Sequence, residues 1–284
     1  MPLHLNPLHS LFAAEVTGID LRTTPGPELC AEIDRAMDRY AVLVFRDQRI
    51  DDDQQMAFGE ALGPLEPERA VVDVHKNRLK HERMNDISNL DVDGSILAAD
   101  DRRRMFSLGN RLWHSDSSFK ATPAKYSMLH ARVVPPEGGE TEFADMRAAW
   151  DALPEKTKRQ VKDLVTHHSL IYSRAQLGFE EYTEEEKQRF APVRQRLVRW
   201  HPGSQRFSIY LSSHIGQIEG MPRPEAMMLI RELTEFATER RFVYAHAWRP
   251  FDDKAYPRDM RRVTLTDVAP TLEQALPEPA PAAA

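Results

Sequence analysis

Short extended runs, scattered along the whole chain and cut by proline and glycine, constrain this fold more than any other feature of the sequence. Such runs fall at 16–21, 41–45, 126–134, 141–144, 197–201, 207–211, 242–248 and 263–265. Pro135-Pro136-Glu137-Gly138-Gly139 turns the chain after 126–134, and Pro202-Gly203-Ser204 joins 197–201 to 207–211 as a hairpin. Helical spacing is confined to a few segments. Leu29, Ile33, Met37 and Tyr40 share one face over 27–40, and a second helix runs from near Asp51 to just before Gly63-Pro64. Further helices are expected at 146–153, 154–164 and 224–238, the last with Met227, Met228, Ile230, Leu233 and Phe236 as a core face. The stretch 66–104 is polar and irregular and reads as a long lid, with a short strand at 86–89. Many short strands with helices to one side predict a mainly β (α+β) jelly roll in one domain, 1–276. The Pro/Ala-rich end, 277–284, reads as a disordered tail.

Composition narrows the function classes. A hydrophobic content of 41% and a charged content of 29% in 284 residues suit a soluble globular protein. No apolar stretch approaches the roughly 20 residues needed to span a bilayer. The first twelve residues lack the pattern of a signal peptide, so a cytoplasmic location is expected. The single cysteine, Cys30, lies in the 27–40 run with no basic partner beside it, which favours a structural thiol over a nucleophile. A net charge of -6 argues against nucleic acid as a partner. Arg102-Arg103-Arg104 is short and follows two aspartates, and a solvated loop explains it.

The sharpest local feature is Trp113-His114-Ser115-Asp116-Ser117-Ser118-Phe119. In extended backbone, residues two apart point to the same side, so His114 and Asp116 can aim an imidazole nitrogen and a carboxylate oxygen at one point. That is two-thirds of a 2-His-1-carboxylate triad, which leaves positions open on a metal. With 11 histidines in the chain, about one His-x-Asp arises by chance. The motif therefore does not decide the matter alone, and a hydrogen-bonded surface pair is the rival reading. Near the C-terminus, Arg258 and Arg262 stand four apart on an extended run and can face one side. A guanidinium is the natural partner for a distant carboxylate, although a solvated basic run would also account for them.

Over nearly its whole length the chain resembles the TauD/TfdA family of Fe(II)- and 2-oxoglutarate-dependent dioxygenases, most closely the 2,4-dichlorophenoxyacetate branch. The resemblance is carried by Asn6-Pro7-Leu8-His9, 12–21, Val42-Leu43-Val44-Phe45-Arg46, Leu62-Gly63-Pro64-Leu65, 112–119 and 138–153. It implies a double-stranded β-helix with His114 and Asp116 as iron ligands. Thr141 and Arg258 would hold the far carboxylate of 2-oxoglutarate. Arg262 would lie near its other carboxylate or an acidic substrate, and Asn110 would line the pocket. It further implies O2 as co-substrate, a small anionic substrate of the aromatic-herbicide type, and a dimer or higher oligomer. Taurine is the alternative substrate. His201, His214, Lys76, Lys80 and Arg83 are further candidates to meet an anion, each with a structural or surface role as its competing explanation.

One departure stands out. The family carries its distal histidine ligand after a strand of the type Asp-x-x-x-Trp-Asp-Asn-Arg. Here Pro250 runs straight into Phe251-Asp252-Asp253, so a strand and its turns, about fifteen residues, have no counterpart. No histidine follows His246. Three readings stay open: a segment of the natural chain is missing from this sequence, the deletion is genuine and the protein only binds ligands, or His246 is the third ligand. A zinc hydrolase using His114 and Asp116 lacks a further ligand at useful spacing.

Overall fold

The computed structural model describes residues 3–67, 69–73, 76–245 and 248–277. Its main sheet is antiparallel, with Asp259–Thr266 in the centre, Asn85–Ser88 on one side and Ala124–Val133 on the other. Opposed residues share a face, so the register Arg262↔Leu129 and Thr264↔Ser127 puts Met260, Arg262 and Thr264 beside Ser127, Leu129 and Ala131. The other face carries Arg261, Val263 and Leu265 with Tyr126 and Met128. It packs on helices Pro27–Tyr40 and Asp52–Leu62.

Those two helices form for local reasons. Pro27 occupies the first turn of one, where its missing N–H costs nothing, and Ala41 closes it in the left-handed region at φ 58°. Asp51 opens the other with a reciprocal cap. Its Oδ1 accepts from the Gln54 backbone N at 2.8 Å, while Gln54 Oε1 accepts from the Asp51 backbone N at 2.9 Å. Gly59 lets this helix sit close to the sheet, because a Cβ there would come within 2.7 Å of Met128 and 3.0 Å of Val263. A second apolar core lies around helix Arg223–Ala237, and a third, aromatic one is built from Phe106, Phe179 and Phe190.

The architecture is mainly β with helices, as expected. The strands stay in five separate sheets of two or three strands, which do not close into a roll among the described residues. Several boundaries differ from expectation. The strand expected at 16–21 is Ala14–Thr17, ended by Gly18 at φ 82°. Of the one expected at 242–248, residues 246 and 247 lie outside the described residues, and Val243–Tyr244 forms a strand between a 3-10 turn at Arg240–Phe242 and Ala245 at φ 87°. The last strand is the full Asp259–Thr266, hidden in the sequence by the charged residues Asp259, Arg261 and Arg262, each of which draws a partner from a distant segment. Arg102-Arg103-Arg104 is not a solvated loop. It begins helix Arg102–Ser107, and the three arginines pair with Asp73 and Glu186, with Asp91 and Asp101, and with Asp253. The lid is thereby stapled down. No helix among the described residues is long and apolar enough to cross a membrane.

Candidate metal centre

His114 and Asp116 come together. The segment that bears them is tied to the neighbouring chain by Ser213 N donating to Trp113 O at 2.9 Å and by Ser115 Oγ donating to Leu211 O at 2.8 Å. Immediately after Asp116, Ser117 takes φ 54° and turns the chain, which stops the extended run there. His114 Nδ1 lies 2.7 Å from Leu112 O. A carbonyl only accepts, so Nδ1 carries the proton and the Nε2 lone pair faces Asp116 Oδ1 at 3.3 Å. Two acceptors turned toward each other need a cation or a proton between them. A separation of 3.3 Å is also what two adjacent ligands of one ion have when each lies about 2.1 Å from it.

Asp116 is further held by Ser127 Oγ, which donates to Oδ2 at 2.5 Å, and by Arg262 Nη1, which donates to Oδ1 at 2.6 Å. Burial opposes its ionisation, but Arg262, His114 and Ser127 outweigh burial and hold the carboxyl well below the usual range. Arg258 enters the same sheet face four residues earlier. Its guanidinium Nη2 lies 3.5 Å from Thr141 Oγ1, its backbone N donates to Asn89 Oδ1 at 2.8 Å, and among the described residues no carboxylate pairs with it. Burial alone lowers its pKa. Asn89 also clamps the loop before Arg258 by donating to Asp253 O at 2.9 Å and Tyr256 O at 3.0 Å.

The structure thus brings His114, Asp116 and Arg262 into one group and sets Arg258 beside Thr141. Asn110 is exposed in the 3-10 turn Leu108–Arg111, and no hydrogen bond joins it to that group. Lys80 pairs with Asp53 and Arg83 with Glu60, both at the surface. His214 lies next to the site, its ring 6.2 Å from that of His114 and 4.9 Å from Phe119. Burial pushes its pKa well below the ordinary value, with Arg174 and His114 adding to the effect. His201 sits apart in a hairpin with Nε2 2.7 Å from Ser208 Oγ. His246 lies outside the described residues. Among those that are described, no three His, Cys, Asp or Glu side chains could hold a metal ion. Sequence reasoning did not single out Ser127, Asn89 or Arg174. The i, i+2 alternation of 126–134 could have flagged Ser127 as facing one side, but nothing local marks the other two.

His201 supports a stability prediction. Burial, reinforced by Arg199 and Arg147, drops its pKa to about 4. The unfolded imidazole takes a proton near pH 6.5 while the folded one does not, so stability falls as pH drops from about 6.5 toward 4. The loss from this residue is on the order of 3 kcal/mol. Thermal melts of the parent and of His201→Gln across that range check it, the variant showing the shallower slope.

The chain as a whole is similar to known proteins. Residues 4–253 match the taurine catabolism dioxygenase TauD, TfdA family. The alpha-ketoglutarate-dependent 2,4-dichlorophenoxyacetate dioxygenase of Cupriavidus pinatubonensis is 43% identical over 285 positions, covering 95% of this chain and 99% of that one. The (S)-phenoxypropionate/alpha-ketoglutarate-dioxygenase of Sphingobium herbicidovorans is 36% identical, over 87% of this chain and 83% of that one. Among solved structures, AAD-2 in complex with Mn(II) and N-oxalylglycine superposes with a TM-score of 0.91 at 51% identity, covering 95% of this chain and all of that one. With the family match spanning most of its length and relatives this similar, the chain belongs to the TauD/TfdA dioxygenase family.

Proposed function

We propose that this chain is an Fe(II)- and 2-oxoglutarate-dependent dioxygenase that hydroxylates a small aryloxyacetate, using O2 and giving a phenol, glyoxylate, succinate and carbon dioxide. The observation that carries the reading is the convergence of His114 Nε2 and Asp116 Oδ1, 3.3 Å apart, on the sheet face that also bears Arg258 and Arg262. His114 and Asp116 would hold the iron. Bound iron supplies the oxidative decarboxylation of 2-oxoglutarate and the hydroxylation of the substrate. Arg258 offers the far carboxylate of 2-oxoglutarate a guanidinium with no competing acid among the described residues, and Thr141 adds a hydroxyl. Arg262 orients Asp116 and stands ready for a second carboxylate. Asn110, being exposed, is left out of this assignment. The names of the relatives at 43% and 36% identity favour an aryloxy acid over taurine.

A third protein ligand is the open part of this assignment. The 285-position match to the Cupriavidus relative draws on 95% of this chain's 284 residues, about 270, so roughly fifteen positions fall on no residue here. The family match ends at residue 253. We place that gap beside Pro250, where the family's distal histidine would follow, so that the natural protein would carry the missing ligand there. The second reading, a family member that binds 2-oxoglutarate without turning it over, follows if the gap is genuine.

Succinate formation with Fe(II), 2-oxoglutarate and oxygen decides between them, measured with 2,4-dichlorophenoxyacetate and with taurine. Faster succinate release with the aryloxyacetate is expected. Folded protein that binds 2-oxoglutarate yet forms no succinate with either substrate would establish the binding role. Sequencing the gene across the Pro250 and Phe251 codons shows independently whether the segment exists.

A further inference from the structure

Arg174, in helix Leu170–Ala175, is a buried cation with no counter-ion among the described residues, and the site described above makes no use of it. The residue is only 6% exposed. Its Nε donates to Phe106 O at 3.0 Å and its Nη1 to Ser173 Oγ at 3.2 Å, and the guanidinium lies 4.8 Å from the centre of the Phe106 ring. Among the described residues no carboxylate pairs with it, and Nη2 makes no hydrogen bond.

Its position is as telling as its isolation. Ser173 Oγ accepts from Arg174 Nη1 and stands 2.8 Å from His214 Nδ1, and the His214 ring lies between Phe119 and His114. Arg174 is close enough to Asp116 and Arg262 to feel both charges, and burial drops its pKa to about 10, still charged at neutral pH. The group therefore holds two guanidiniums against one carboxylate. Gly109 makes room for this, since a methyl at that position would run into the Arg174 guanidinium. Tying down the Phe106 carbonyl and the Ser173 hydroxyl needs only a neutral donor. Burying a cation for that purpose costs several kcal/mol that an anion would offset.

We propose that Arg174 is a specificity-determining residue whose free Nη2 binds the carboxylate of the organic substrate at the border between the metal centre and the aromatic core of Phe106, Phe179 and Phe190. The assignment rests on the oxygenase reading and deepens it. Arg174 supplies the charge that separates an acid from its neutral analogue.

The test compares 2,4-dichlorophenoxyacetate with its neutral amide in the parent, Arg174→Gln and Arg174→Lys, following succinate. In Arg174→Gln the KM for the acid rises about thirtyfold, as expected for a lost hydrogen bond to a charged group. The KM values for the amide and for 2-oxoglutarate stay within twofold, and Arg174→Lys recovers part of the loss. Gly109→Ala displaces the guanidinium without removing it and reproduces the selective effect even if Arg174→Gln folds poorly. Equal weakening of acid and amide, or an unchanged KM for the acid, overturns the proposal. If the parent forms no succinate with any substrate, the oxygenase reading has failed. Calorimetric titration of 2,4-dichlorophenoxyacetate into the metal-free proteins then tests Arg174 alone, a Kd unchanged by Arg174→Gln refuting it and a thirtyfold weaker Kd sustaining it.

Discussion

Asp116→Ala is expected to abolish succinate formation, lowering it by about a thousandfold or more, while the protein remains folded. The carboxylate is one of two side chains that converge on a shared point, and removing a neighbour of a metal ligand already costs about 10–100-fold in affinity or activity. Removing the ligand itself costs more. The same change strips Arg262 of its partner at 2.6 Å, leaving a largely buried guanidinium uncompensated. Stability should therefore fall by about 3 kcal/mol. The two consequences separate in the double variant Asp116→Ala with Arg262→Met, which regains most of the stability and none of the activity. Thermal melts, Mn(II) titration calorimetry and succinate release check the three parts. An Asp116→Ala protein that still binds Mn(II) as tightly as the parent would remove Asp116 from the metal site.

Arg258→Gln is expected to raise the KM for 2-oxoglutarate by about a hundredfold, with a much smaller effect on the KM for the organic substrate. The guanidinium is mostly buried, has no acid among the described residues to neutralise it and faces Thr141. A charged hydrogen-bond partner lost from such a place costs about 2–3 kcal/mol. Removing the uncompensated cation also relieves a desolvation penalty, so the melting temperature of the ligand-free protein should hold or rise. Higher stability with weaker co-substrate binding is a signature that a purely structural arginine does not give. A drop in stability with unchanged KM would reassign Arg258 to the scaffold.

What could be read from the sequence follows from how local its causes are. Helix Pro27–Tyr40 was expected at its observed ends because its start, its apolar face and its stop are written in adjacent residues. The Asp51/Gln54 cap is likewise a signal within four residues. The sheet that carries the arginines was less legible. Asp259, Arg261 and Arg262 look like a solvated run until Arg78, Asp86 and Asp116 arrive from elsewhere in the chain. The strand Val165–His168 escaped notice because Thr166 and His168, fully buried, look polar. Of the candidate site, His114 and Asp116 were visible through the alternation of extended backbone. Arg174 was not, since a lone arginine in Ser-Arg-Ala-Gln says nothing until Phe106, Ser173 and Gly109 surround it.

The alternation of Asp259–Thr266 has a last consequence. Arg261 points toward helix Asp52–Leu62 and joins the acids Asp52, Asp86 and Asp259, whereas Arg262, its immediate neighbour, points the other way to Asp116. One extra or missing residue between 258 and 262 would exchange these destinations, sending one guanidinium into the wrong compartment and leaving an acid unanswered on each side. Spacing in this stretch is therefore less forgiving than identity. Point changes there should yield graded defects, while single-codon insertions or deletions should be lost altogether.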